Sequence, residues 1–341
     1  MELLNTLFIT QPHAYLHLDH GAVRVEVDHK TTLKVPLLEL ESIVCFGDVM
    51  WSPALVGECA RQGRAMVLLQ SSGRFLARID GPLSGNVWLR QAQYRAIDDS
   101  RLTLTVAKAL VAGKLRNCRT VLARGARENG RRADADLSTA IASHDQSLND
   151  LTAAVDLDTV RGLEGQAAKA YFSVVDHLVT ADRQAFRMML RVRRPPTDPL
   201  NALLSFLYTL LTHDCESALE SVGLDPQAGF LHALRPGRPS LALDLMEELR
   251  PVLADRLALT LINLRQVRAD DFEPEEGIGM RMTSSGRVTV IRAYQERKRE
   301  EVRHRVLDRK VPLGLVPLLQ SRLLARHLRE ELPHYLPFLW R

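Results

Sequence analysis

The chain has 341 residues, with 45 basic and 41 acidic side chains, four cysteines and an apolar fraction of 46%. That length suits two domains with cores of their own, and 25% charged with 5% aromatic residues excludes disorder as the main state. No run approaches the ~18 consecutive apolar residues of a membrane span. Glu2, with no Lys or Arg ahead of the first apolar residues, argues against a secretory signal, and Cys45, Cys59, Cys118 and Cys215 lie far apart with no CxxC, so a reducing cytoplasm is the expected compartment.

Residues 6–80 read as short apolar or alternating runs: TLFIT, AYLHLD, AVRVEVD, TTLKVP, SIVCF, AMVLLQ and RFLARID. Turn residues separate them, which is strand periodicity. Asp19-His20-Gly21 and Ser71-Ser72-Gly73 are short enough for hairpins. The strands are therefore expected to pair antiparallel as a meander or small sandwich, interrupted by one helix at about Ser52 to Gln62. His13, His17, His20 and His29 are expected to alternate on strands near Asp19 and Asp28, as a second metal set or as ordinary exposed strand and turn positions. Residues 1–85 hold seven basic and nine acidic side chains, net −2, so the remainder carries net +6. Gly81, Pro82 and Gly85 mark a linker.

Beyond it, apolar residues recur three and four apart. This predicts helices at about 86–97, 100–130, 136–155, 158–180, 182–193, 199–222, 240–262 and 314–332. The run PLNALLSFLYTLL is apolar almost all round and predicts a central buried helix. An insertion over about 270–310 is dense in both charges, and within it MRMTSSGRVTVI predicts a hairpin turning at Ser284-Ser285-Gly286. The expected fold class is α+β, a β-rich domain over 1–85 followed by a mostly α-helical domain over 86–341. There is no Walker loop, GxGxxG, GxSxG or HExxH to support nucleotide-driven, Rossmann, serine-hydrolase or zincin chemistry.

Of the 45 basic residues, 38 are Arg, whose planar fork matches phosphate oxygens, although a GC-rich coding sequence produces the same enrichment. Lys114, Arg116, Arg119, Arg124, Arg127, Arg131 and Arg132 fall along one long helix and its end, and Arg183, Arg187, Arg191, Arg193 and Arg194 run toward Pro195. Each set either tracks a phosphate backbone or lines an ordinary solvated helix. Glu164 lies among Gly165, Ala167, Ala168 and Ala170, small residues suited to close helix packing. In SLALDLMEELR, Asp244, Glu247 and Glu248 share a helix face beside Leu241, Leu245 and Leu249, and His232 follows an apolar Gly-Phe-Leu. A histidine with two or three carboxylates suits Mn²⁺ or Mg²⁺. The same residues also read as a solvated helix face, an arginine's ion-pair partner and a hydrogen-bonded core histidine, and spacing alone leaves both readings open.

The order of segments is more specific. RPPTDPLNALLSFLYTLL, then GLDPQAGFLHAL, then RPSLALDLMEELRP resembles the CRISPR-associated integrase family, the larger catalytic subunit of the spacer-acquisition machinery. Upstream, RGLEGQAAKAYF is similar to the family's first acidic motif, and LLARHLREELPHYLPFLWR looks like the subgroup found with type I-C systems. The resemblance implies a β-sandwich-like N-terminal domain that dimerises and a helical, metal-dependent catalytic domain. It carries the family's metal-binding and catalytic residues onto Glu164, His232 and Glu247, with Glu at a position where many relatives have Asp. Asp244 then orients the site or adds a ligand. The implied activity is transesterification of prespacer 3′-hydroxyls into the CRISPR array, with DNA cleavage when water replaces the hydroxyl. Implied partners are prespacer and leader-repeat duplex DNA, a second copy of the chain, and a small ferredoxin-like subunit in a heterohexamer. Backbone contacts are expected from some of Arg116, Arg119, Arg187, Arg193 and Arg194. The rival readings are a metal-dependent nuclease of branched DNA in repair and a non-catalytic DNA-binding scaffold.

Overall fold

The computed structural model describes residues 6–40, 42–70, 75–79, 81, 87–131, 133–192, 195–275 and 279–340. The chain divides into two compact units, Met1–Ser84 and Gly85–Arg341.

The first unit contains β1 (Thr6–Ile9), β2 (Tyr15–Asp19), β3 (Ala22–Val27), β4 (Lys30–Pro36), β5 (Ser42–Phe46), β6 (Met50–Trp51), helix α1 (Pro53–Arg61), β7 (Ala65–Leu69) and β8 (Phe75–Ile79). They form two four-stranded sheets, ordered β1-β5-β7-β8 and β4-β3-β2-β6. Leu16, Val23, Val25, Leu37, Ile43, Leu55 and Met66 meet in one buried cluster. Ser52 begins α1 by accepting from the Leu55 amide, with Pro53 in the first turn, where its missing N–H costs nothing. The expected antiparallel meander holds for β2-β3-β4 but not for β1, β5 and β7, which are parallel. Parallel strands need long connections. The β2-β3-β4 ribbon supplies one between β1 and β5, and α1 supplies the other between β5 and β7. Central β5 is buried along its whole length, the continuous apolar run of a strand covered on both faces.

The histidines do not alternate along strands as expected. His13, His20 and His29 have positive φ and sit in turns, and only His17 lies on a strand, 3.3 Å from Glu26. The Ser71-Ser72-Gly73 turn lies outside the described residues, although β7 and β8 do pair antiparallel.

The second unit is mostly helical. It contains α2 (Val87–Asp98), α3 (Ser100–Glu128), α4 (Ala135–Ala153), α5 (Leu157–Phe172), α6 (Pro199–Val222), α7 (Ser240–Arg250) and α8 (Arg256–Asn263). Two hairpins, β9 (Phe272–Glu275) with β10 (Gly279–Met282) and β11 (Glu301–His304) with β12 (Arg309–Pro312), flank α9 (Ser284–Arg299), and α10 (Val316–Leu328) follows. Helix α6 is the expected buried rod. Asp198 caps it by accepting from the Asn201 amide, and Gly223 ends it at φ 93°. Helix α3 packs on α4, α5 and α7. Gly113 permits the close approach of α3 to α7, since a Cβ there would lie 3.1 Å from that of Glu248 and 2.8 Å from that of Pro337.

Three local expectations differ from the structure for physical reasons. The described part of the predicted 182–193 helix, residues 182–192, forms turns and bends instead. Phe186 and Met188 are buried two residues apart, and Arg191 donates to Asn201 and Ser205 of α6, so tertiary bonds replace a helical ladder. The predicted 240–262 helix contains a widened π segment, Pro251–Asp255, because Pro251 has no N–H for the ladder. The hairpin predicted to turn at Ser284-Ser285-Gly286 is instead the start of α9, with Thr283 as its cap accepting from the Gly286 amide. Buried Arg287, Val290, Ile291, Tyr294 and Lys298 follow helical spacing, and β10 pairs with β9 upstream. All four cysteines are buried and free. Among the described residues no helix is long and apolar enough to cross a membrane.

Candidate functional site

The site is assembled from α3, α5, α7 and the loop before α7. Asp244, fully buried in the second turn of α7, faces that loop. Its Oδ2 accepts from the amides of Phe230 (2.6 Å) and Leu231 (2.9 Å). Its Oδ1 accepts from the His232 amide (2.9 Å) and pairs with His232 Nδ1 (2.6 Å). Both oxygens are therefore taken up by loop donors. Gly229 makes the approach feasible, because a Cβ at that position would stand 2.7 Å from Asp244 Oδ2 and from the Ser240 carbonyl carbon. The far end of the loop is clamped by buried Gln93 of α2, which donates to the carbonyls of Asp225 and Ala228 and accepts from the Asp225 amide.

With Nδ1–H committed to Asp244, the His232 ring turns Nε2 toward Glu247, 4.0 Å from its Oε1. Glu247 is itself almost fully buried, and two cations hold it: Arg250 Nη1 at 2.8 Å from Oε1 and Lys114 Nζ at 2.6 Å from Oε2. Burial opposes ionisation of this carboxyl, but Arg250, Lys114 and His232 outweigh it and keep the group well below the usual carboxylate range. Lys114 Nζ also contacts Glu164 Oε1 on α5. Burial disfavours the ammonium, yet Glu247 and Glu164 overcome this and raise the Lys114 pKa. Arg161 of α5 donates to the Leu231 carbonyl at 2.8 Å, fastening the helix of Glu164 to the loop of His232. Thus Glu164 and Glu247 meet at Lys114, and His232 stands beside Glu247.

Glu248 does not share their face. It points to the C-terminal segment, accepting from Tyr335 Oη (2.5 Å), the Phe338 amide (2.7 Å) and Gln320 (3.1 Å). Burial dominates these bonds and pushes its pKa up to about 7. The sequence reads Lys114 as either a phosphate-tracking or a solvated helix residue, whereas it is buried. The signal was present: Ala107, Leu110, Val111, Lys114, Cys118, Val121 and Leu122 form the core-facing stripe of α3. Arg250, which also lies 4.2 Å over the Tyr208 ring, carried no such signal.

The arginines expected to contact DNA diverge. Arg116 and Arg187 are exposed, while Arg119 is held by Asp145 at 2.6 Å. Arg193 and Arg194 lie outside the described residues. A separate group, Asp134, Asp136 and His177, brings three ligand atoms within 4.8 Å of one another, but Asp134 is the cap of α4 and pairs with His177 at 2.9 Å.

Residues 7–296 match the family described as CRISPR associated protein Cas1. The chain belongs to the Cas1 family. It is 50% identical to CRISPR-associated endonuclease Cas1 1 of Moorella thermoacetica, over 99% of each chain. It is also 50% identical to CRISPR-associated endonuclease Cas1 2 of Rhodospirillum rubrum, over 100% of this chain and 99% of the relative. Among solved structures, a Cas1 protein from Thermotoga maritima superposes with a TM-score of 0.82 at 22% identity, covering 95% of this chain and 97% of that one. A casposase bound to integration product gives 0.84 at 22% identity, covering 98% and 93%. At that identity the likeness shows the Cas1 fold.

Proposed function

We propose that this Cas1 chain is a divalent-metal-dependent integrase and endonuclease of CRISPR adaptation, with Glu164, His232 and Glu247 as metal ligands and catalytic residues. The observation that carries the reading is the meeting of two acids from separate helices around one buried positive charge, with an oriented imidazole beside them. Two carboxylate oxygens and one imidazole nitrogen suit Mn²⁺ or Mg²⁺ better than a thiolate-seeking ion. The Lys114 ammonium supports the fit, since the acids already hold a cation. Asp244 is assigned to orientation and not ligation, because its oxygens are committed to the loop.

In this reading a prespacer 3′-hydroxyl attacks a phosphodiester at the repeat boundary. One P–O bond forms, another breaks, and a strand is joined without ATP. A bound divalent ion would neutralise charge on the phosphoryl oxygens and lower the pKa of the attacking hydroxyl. The chain's own residues hold the geometry: Asp244 fixes the His232 tautomer, Arg250 anchors the longer Glu247 arm, and Arg161 keeps the loop against α5. With water as nucleophile the same site cleaves DNA. The Moorella and Rhodospirillum relatives are named as endonucleases, which supports cleavage, and the casposase of similar fold is bound to integration product, which supports joining. Assembly is proposed as homodimers through the β-rich unit, bridged by a small ferredoxin-like subunit. A structural neighbour within a Cas6-RT-Cas1–Cas2 complex supports that partner.

The test is strand transfer of a labelled duplex with 3′-hydroxyl ends into a leader-repeat plasmid, with Mn²⁺ and the small subunit. Wild type should join, and His232→Ala and Glu247→Ala should bind duplex without joining. Equal joining by all three proteins would remove this active site.

A further inference from the structure

We propose that Lys114 is a resident counter-cation that occupies the position between Glu164 and Glu247 in the metal-free protein and leaves it when the divalent ion binds. The inference rests on the metal-site reading above and assigns Lys114 a role of its own within it.

Glu247 Oε2 and Glu164 Oε1, the oxygens that converge from α7 and α5, share one ammonium from α3. Lys114 and Glu247 are both almost fully buried, with side-chain exposures of 5% and 4%. Removing two like charges from water without a cation is unfavourable, so a fold that preforms this acid pair needs positive charge at the point where they meet. Lys114 fills that need without adding a ligand, since an ammonium donates and cannot coordinate. Charge balance then sets the consequence. Glu164 and Glu247 are matched one for one by Lys114 and Arg250, whose guanidinium holds the other oxygen of Glu247. A divalent ion added to these four groups would leave an excess of two positive charges on them, of which the buried Asp244 carboxylate behind His232 offsets only one. It would also need the oxygens that Lys114 occupies. Arg250 is the less exchangeable of the two cations, being stacked on Tyr208 at 4.2 Å as well as paired. Lys114 has one ammonium on a flexible stem, and its other partner, Glu164, has a side chain 25% exposed, which opens a way toward solvent.

The ion and the ammonium therefore compete, and deleting the ammonium should help the ion. In the full-length protein, calorimetric titration with Mn²⁺ should give a Kd for Lys114→Met that is tighter than wild type by on the order of tenfold. The variant should melt lower than wild type in chelator and gain more from Mn²⁺. Lys114→Arg, which keeps the charge, should bind Mn²⁺ no tighter than wild type. In wild type, acetylation of the Lys114 amine by an amine-reactive ester, read by mass spectrometry, should increase when Mn²⁺ is present. Equal or weaker Mn²⁺ binding by Lys114→Met would overturn the proposal. Should that variant fold in neither condition, unchanged Lys114 labelling in wild type would overturn it instead. His232→Ala separates the two levels. Mn²⁺ binding by wild type that this variant does not weaken refutes the metal site itself, whereas binding that His232→Ala weakens and Lys114→Met does not tighten refutes only the resident cation.

Discussion

Asp244→Asn is the perturbation that best separates an orienting carboxylate from a ligand. The two residues are nearly isosteric, so packing is unchanged, but the hydrogen-bond pattern is not. Each Asp244 oxygen accepts two bonds: Oδ2 from the Phe230 and Leu231 amides, Oδ1 from the His232 amide and Nδ1–H. If Oδ2 becomes NH₂, two backbone donors face a donor; if Oδ1 does, the His232 amide faces a donor and the ring must switch tautomer so that Nδ1 accepts. The lost bonds are charge-assisted, two in the first case and one with a tautomer change in the second, and an unsatisfied buried donor costs about 1–3 kcal/mol, so the expected loss is about 3 kcal/mol. For a unit of this size that lowers Tm by roughly 10 °C. The assay is urea unfolding and calorimetry of wild type and variant in chelator, where ligation contributes nothing. A metal-free stability within about 1 kcal/mol of wild type, combined with lost Mn²⁺ affinity, would refute the reasoning and make Asp244 a ligand, because removing an uncompensated ligand charge relieves repulsion in the metal-free state.

Two further outcomes follow from the same contacts. Glu248 ionises near 4.5 when unfolded but at about 7 when folded, so between those values the folded chain binds the extra proton and stability falls as pH rises. The loss is about 3 kcal/mol once pH exceeds the folded value, and Glu248→Gln should flatten the difference between urea midpoints at pH 5 and pH 8. Charge reversal at Arg116 and Arg187 should weaken duplex binding and reduce its salt slope by about 1 per lost phosphate contact. Reversal at Arg119, already paired with Asp145, should do less. Unchanged fluorescence-anisotropy titrations at two salt concentrations would remove the exposed pair from the DNA surface.

What the sequence made legible is what local pattern controls. Strand alternation, the Ser52 and Asp198 caps, and the apolar wrap of α6 each depend on neighbours within a few residues. Chain direction within the β1-β5-β7 sheet depends on how long connections return, which periodicity cannot encode. The 182–193 segment had helical spacing, but Arg191 finds its acceptors on α6, a competitor invisible in a window of a dozen residues. Glu164, His232 and Glu247 were singled out by residue type and motif order. Their meeting point was not, because Lys114 lies 50 residues before Glu164 and 133 before Glu247, and its place on the apolar stripe of α3 signals burial without saying which acids it meets.

The stretch from α7 through the π segment carries four buried acids, Asp244, Glu247, Glu248 and Asp255, that composition treats alike. Their partners set them apart. Asp244 is bound by backbone amides that cannot leave without unravelling the loop. Glu248 is held by Tyr335, Gln320 and the Phe338 amide, neutral donors that do not offset burial enough to keep it charged at low pH. Burial also raises the Asp255 pKa, against Arg250 and the 2.6 Å bond from Tyr208. Of the four, Glu247 alone has both oxygens on cationic side chains, which hold it ionised, and one of them, Lys114, sits on a flexible stem. A carboxylate that is already ionised, and whose partner can leave, binds an incoming cation without first giving up a proton. Within this run of chain, Glu247 is the acid whose surroundings suit the proposed ligand role.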